Sequence, residues 1–235
     1  MNSKFYKDHL SKFSNKLIND FDPKISNNFE KDKIIYSRFW KNCTKENSNK
    51  KEIRDIVEIT KKIFLQNYST NIYNKITNNR NKFIKIDELV STANKIVPYL
   101  TPTKAELTIE NKKFLKDKEG IETDQGLFLS SVLSNKLEGN HLCHSMLLPT
   151  DLALEKKEEF IKTNKVQFDG ASVGKFGKHV IVTLENGEYL NAEDERTLVP
   201  LEAAIDLALL DENSDIAVLR GETVKHTKYK GLRTF

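Results

Sequence analysis

Apolar residues in the first half of the chain recur at helical spacing. Tyr6, Leu10, Phe13 and Leu17 step by four, three and four, which places them on one face of a helix. Ile53, Ile56, Ile59, Ile63 and Phe64 keep that spacing and predict a longer helix from about Lys50. Ile86, Leu89, Val90, Ala93, Ile96 and Val97 predict a third, closed by Pro98, because proline cannot donate within a helix and restricts the residue before it. Thr103-Lys104-Ala105-Glu106 has capping-box spacing and opens a helix to about Leu115. Phe128, Leu129, Val132, Leu133 and Leu137 predict another after Gly126, and Asp151 to Lys162 reads as a charged amphipathic helix after Pro149. Asn-rich stretches such as Asn47-Ser48-Asn49 read as joints.

At Val166 the period changes to alternation. Val166, Phe168 and Gly174-Lys175-Phe176-Gly177 predict short strands or a hairpin, and His179-Val180-Ile181-Val182-Thr183-Leu184 is a β-branched strand. Asn186-Gly187 reads as a turn. Asn191 is placed to cap a helix from about Ala192 to Leu210, and Ile216-Ala217-Val218-Leu219 is a second strand ended by Gly221. Strand, helix and strand make one βαβ unit. The expected organisation is a helical domain over 1–163 and the opening of an α/β core over 164–235. A single βαβ unit cannot cover both faces of its sheet, so the second domain is expected to stop partway through a fold.

Composition sharpens the division. Residues 1–119 carry 25 Lys+Arg against 15 Asp+Glu, a balance of +10; residues 120–235 carry 13 against 19, or −6. All nine glycines lie from Gly120 onward. The basic half is not read as a nucleic-acid surface: 32 of the 38 basic residues are lysine, and arginine is the residue suited to planar phosphate and base recognition. Lysine beside Asn and Ile, as in Asn78-Asn79-Arg80-Asn81-Lys82, suggests a bias of genome composition. No stretch has the ~20 apolar residues of a membrane helix, and the N-terminus has no apolar signal segment. Two cysteines make no disulfide framework, and a reducing cytoplasm is expected.

Candidate chemistry is sparse. His141, Cys143 and His144 fall short of the four ligands of a structural zinc site; Cys143 is expected to be a small buried apolar residue, and no metal is expected. Tyr36, Phe39 and Trp40 are expected to pack between helices. No phosphate-binding or dinucleotide glycine motif is present.

Asn191-Ala192 after a strand, then a helix, then Ile216-Ala217-Val218-Leu219-Arg220-Gly221, resembles the first turn of the crotonase (enoyl-CoA hydratase/isomerase) superfamily. Four further landmarks occur in order: Asp124-Gln125-Gly126-Leu127-Phe128-Leu129, Met146-Leu147-Leu148-Pro149-Thr150, Leu190-Asn191-Ala192-Glu193-Asp194-Glu195 and Val224-Lys225-His226-Thr227-Lys228-Tyr229-Lys230-Gly231. Together they resemble the 3,5-dihydroxyphenylacetyl-CoA 1,2-dioxygenases, most sharply over about 120–235. The resemblance implies a mainly α N-terminal region, then the α/β start of a crotonase-type ββα spiral.

It also implies a reaction without metal or organic cofactor. The enolate of an aryl-acetyl-CoA thioester is held by two backbone N–H groups, meets oxygen and leaves as an α-keto acid. By the same resemblance, the glycine-rich segment that supplies the first of these groups lies beyond Phe235, so the chain alone is expected to be inactive and to need a C-terminal half. Glu193 is implied to contact the substrate phenol, although Glu193, Asp194 and Glu195 equally suit the start of a helix through the macrodipole. His226 and Tyr229 are implied to line the CoA-ester site, although a polar loop would also place them there. Glu188 stands where the family often carries a base suited to a CoA phosphate. A homo-oligomer is implied; from the composition and the lack of a spanning segment, neither nucleic acid nor membrane is expected as partner. The reading of a different class is a non-catalytic assembly module derived from, or complementing, a crotonase-type enzyme.

Overall fold

The computed structural model describes residues 24–45, 50–194 and 196–232. The expected helix of Tyr6, Leu10, Phe13 and Leu17 lies outside these, as does the Asn47-Ser48-Asn49 joint. The described chain divides into two compact units, up to Leu147 and from Leu148.

The first unit is helical. It contains α1 (Phe29–Cys43), α2 (Lys50–Ile76), α3 (Ile86–Ile96), α4 (Lys104–Asn111), α5 (Thr123–Leu133) and α6 (Lys136–Ser145). The 27-residue α2 is its axis, with α1, α3, α5 and α6 packed around it. Phe64 on α2 is fully buried and takes Tyr36 and Trp40 of α1 at ring separations of 5.1 and 5.5 Å. The Trp40 indole N–H donates to Thr60 Oγ1 at 3.0 Å, which satisfies the polar atom that burying a tryptophan would otherwise strand. Tyr36, Phe39 and Trp40 therefore pack between helices, as expected.

Local signals set several helix ends. Thr103 and Glu106 form the reciprocal capping box, and α3 stops at Ile96, one residue before the extended Val97 that Pro98 requires. Two boundaries differ from expectation. Helix α4 ends at Asn111, short of Leu115, and α5 begins at Thr123 with Gly126 inside it. Leu137 lies on α6, after a break at Ser134 and Asn135. That break is tight: a Cβ on Gly139 would sit 2.7 Å from the Leu133 carbonyl oxygen, so only glycine lets α6 turn back against α5 there.

The second unit contains α7 (Asp151–Thr163), β1 (Lys165–Gln167), β2 (Ala171–Phe176), β3 (His179–Leu184), α8 (Leu198–Leu209) and β4 (Ile216–Gly221). The sheet runs β1-β2-β3-β4; the first three strands are antiparallel neighbours, and β4 lies parallel to β3 across the α8 connection. Val173, Val180, Val182 and Leu184 face Leu201, Ala204 and Leu207 of α8 and Phe160 of α7 in one buried cluster. Helix α7 packs against α8 and β1 and so belongs to the sheet unit. The division thus falls at 147/148 rather than at the expected 163/164: Ala153 and Phe160 bury their apolar stripe on the sheet side of the boundary.

The opposite sheet face carries Gly174, Ile181 and Val218 in one row and Phe176, His179 and Ile216 in the next. Its apolar side chains are open at the edge, with Ile216 62% exposed.

Candidate functional site

The loops that leave the carboxyl ends of β3 and β4 form the candidate site. After β3 the chain is pinned by two buried asparagines. Asn191 has a left-handed backbone (φ 58°), accepts from the Asn186 backbone N–H through Oδ1 at 3.2 Å, and donates through Nδ2 to the Glu222 carbonyl at 2.9 Å. Asn186 donates through Nδ2 to the Ala192 carbonyl at 2.7 Å and to Asp194 at 3.1 Å. Gly187 donates its N–H to the Glu222 carboxylate at 2.8 Å and accepts from the Lys225 N–H at 2.9 Å. A Cβ on Gly187 would meet the Thr223 carbonyl oxygen at 2.8 Å, so the close passage of the two loops needs glycine.

This network corrects the expected helix start. Asn191 does not cap a helix from Ala192, because its side chain is committed to Asn186 and Glu222. The helix begins at Leu198, where Asp194 accepts from the Arg196 and Thr197 N–H groups at 3.0 Å and Thr197 Oγ1 accepts from the Asp194 N–H at 2.9 Å. Burial raises the Asp194 carboxyl pKa, and the hydrogen bonds from Thr197, Arg196 and Asn186 outweigh it and hold the group below its ordinary value. Pro200 then falls in the first helical turn, where its missing N–H costs nothing.

Between β3, β4 and the loop after β4 lies an open cleft of about 700 Å³, lined by Thr183, Arg220, Thr223, Lys225 and Lys230, with Glu222 on one wall. Arg220 Nε lies 3.4 Å from Thr183 Oγ1, and Lys225 pairs with Glu222 at 3.3 Å. Three cations and two hydroxyls face one acid, an arrangement suited to a polyanion. It lies at the carboxyl ends of parallel strands, where open α/β sheets place ligands.

The implied site residues distribute unevenly. His226 and Tyr229 come together: their rings stack at 5.5 Å, the Tyr229 N–H donates to the His226 carbonyl at 3.0 Å, and the Lys228 N–H donates to His226 Nδ1 at 3.2 Å. Both are exposed, on the same loop as Lys225 and Lys230, beside the cleft rather than in its lining. Glu193 is exposed on the Asn186–Asp194 loop, five residues ahead of α8, so the macrodipole reading of that residue does not hold. Thr183, Arg220, Lys225 and Lys230 were not singled out from the sequence. The one available signal was the cluster of Lys225, Lys228 and Lys230 shortly after a strand that carries Arg220.

In the helical unit, His141 Nδ1 is hydrogen-bonded to the Tyr73 hydroxyl at 2.7 Å, and its ring stacks on Phe83 at 4.6 Å. Burial pushes its pKa below the ordinary histidine value. Cys143 is exposed, contrary to expectation, because its position on α6 faces away from Leu142 and Ser145, which are buried. Among the described residues no group of three or more His, Cys, Asp or Glu could hold a metal ion, and no helix is long and apolar enough to cross a membrane.

No family model matches the chain. Over 181 residues, 77% of its length, it is 36% identical to the (3,5-dihydroxyphenyl)acetyl-CoA 1,2-dioxygenase of Amycolatopsis orientalis. The match takes in 42% of that relative, so the chain spans less than half the length of the curated protein it resembles. With this identity across most of the chain, the protein is similar to a (3,5-dihydroxyphenyl)acetyl-CoA 1,2-dioxygenase, and the similarity supports that family.

Proposed function

We propose that this chain supplies the N-terminal portion of a cofactor-free, acyl-CoA-processing dioxygenase, and that the cleft beyond β3 and β4 holds the phosphate-bearing part of an aryl-acetyl-CoA thioester. The observation that carries this reading is the convergence of Arg220, Lys225 and Lys230 on one cleft, in a chain whose relative is named for a CoA thioester. Glu193, His226 and Tyr229, exposed on the two flanking loops, are the proposed substrate contacts. The parallel β3–β4 pair with its α8 connection fits the start of a crotonase-type spiral. Calorimetric titration of the chain with (3,5-dihydroxyphenyl)acetyl-CoA tests the reading. Binding is expected, and Arg220→Ala and Lys230→Ala are each expected to weaken it about tenfold, the worth of one charge-assisted hydrogen bond. Undetectable binding, or variants that bind as tightly as the parent, would overturn it.

One observation favours the assembly-module reading. The outer edge of β4 and the sheet face bearing Phe176, Ile181, Ile216 and Val218 have no covering element among the described residues. Such an edge and patch favour association. The chain is expected to form homo-oligomers, and Ile216→Lys with Val218→Lys to shift sedimentation toward the monomer. A parent chain that stays monomeric at high concentration would contradict this.

A further inference from the structure

We propose that the loop over residues 111–120 is a site of peripheral attachment to an anionic lipid surface. At its tip Phe114 is 77% and Leu115 87% exposed, the most exposed pair of neighbouring large apolar side chains among the described residues. They follow α4, on which Ile109 is also exposed. The tip is displayed from a braced base. Glu110, buried at the end of α4, accepts from the backbone N–H groups of Glu119 and Gly120, the latter at 2.8 Å, and pairs with Lys113 at 2.8 Å. Arg54 of α2 donates to the Gly120 carbonyl at 3.1 Å. The Asp117 N–H donates to the Phe114 carbonyl at 2.8 Å and closes the single turn that carries Leu115. Nothing in this bracing uses the two apolar side chains.

The charge around the tip selects the partner. Residues 112–118 carry four lysines against Asp117 alone. Lys113 is committed to Glu110 and Glu119, whereas Lys112, Lys116 and Lys118 enter no ion pair among the described residues. Two adjacent side chains on a convex turn present far less than the ~800 Å² a stable protein interface takes from each partner. A bilayer interface asks less: a phenyl and a leucyl side chain inserted at headgroup depth, with cations among anionic lipids. The expectation of no membrane partner rested on the lack of a spanning segment, and a surface contact requires none.

Cosedimentation of the 235-residue chain with vesicles tests this. Binding is expected to phosphatidylcholine vesicles containing phosphatidylserine and to be much weaker without it. Replacing Lys112, Lys116 and Lys118 together by alanine is expected to weaken binding about 100-fold, from roughly fivefold per lysine near an anionic surface. Phe114→Ser with Leu115→Ser is expected to weaken it at least tenfold with circular dichroism unchanged, since both side chains lie outside the core. Equal binding to neutral vesicles, no binding to either, or binding that survives both sets of substitutions would overturn the proposal. So would serine variants that alter the chain's sedimentation without vesicles, which would mark the tip as a protein contact.

Discussion

Asp124→Ala is expected to destabilise the helical unit by about 3–5 kcal/mol, the usual cost of stranding a buried charge by removing its partner. Lys61 on α2 is 3% exposed and its ammonium lies 2.8 Å from Asp124. Burial pushes the Lys61 pKa below its ordinary value, and the charge and hydrogen bond of Asp124 oppose that shift. Arg54 grips the same carboxylate with two nitrogens at 3.0 and 2.9 Å. Alanine would leave one cation buried without compensation and a second without its bidentate partner. Lys61→Met in the Asp124→Ala background is expected to restore part of the loss, because an apolar side chain of similar length suits the space against Trp40, whose ring lies 5.4 Å from the ammonium. Trp40 is the chain's one tryptophan, so its fluorescence during urea unfolding reports on this unit. A loss under about 1 kcal/mol would show that water reaches Lys61 and that the ion pair is not buried in solution.

The second large effect concerns catalysis. The 235-residue chain alone is expected to consume no oxygen with (3,5-dihydroxyphenyl)acetyl-CoA. In the proposed reaction the arylacetyl methylene is oxidised by one O₂ to a ketone and the thioester becomes a carboxylate, with the thiol of CoA released. The enolate on that path needs preorganised donors, and loss of even one costs about 10²–10³ in rate. The proposed function gives this chain the binding cleft and not the enolate's donors, and the match takes in 42% of the relative. Binding without turnover is therefore the expected pair of results. Addition of the relative's remaining portion as a separate chain is expected to restore oxygen uptake, and Glu193→Gln to reduce it without loss of folding, since Glu193 is exposed on a loop. Oxygen uptake by the chain alone, stoichiometric with CoA release, would refute the division of labour.

The sequence by itself determined features whose cause is local. Thr103 and Glu106 make their capping box wherever α4 lies, because both partners sit within one helical turn. Pro98 ends α3 through its own ring and the residue before it. The β-branched run from His179 to Leu184 predicts a strand, and a strand spans those six residues. The basic helical half, the acidic glycine-bearing half and the parallel strand pair were legible in the same way.

Tertiary structure decided whatever depended on competition for a partner. Asn191 has the chemistry of a helix cap, but the Asn186 N–H and the Glu222 carbonyl, 31 residues away along the chain, claim its side chain, so α8 starts at Leu198 and Glu193 stays in a loop. Pro200 was the local sign of that later start. Helix α7 is amphipathic in either unit, and only the position of the sheet decides that Phe160 is buried there. The cleft brings Thr183 beside Arg220, Lys225 and Lys230 because β4 pairs in register with β3, Thr183 opposite Arg220. That register is set by the burial of Val180, Val182 and Leu184 against α8, which no window of sequence around Arg220 contains.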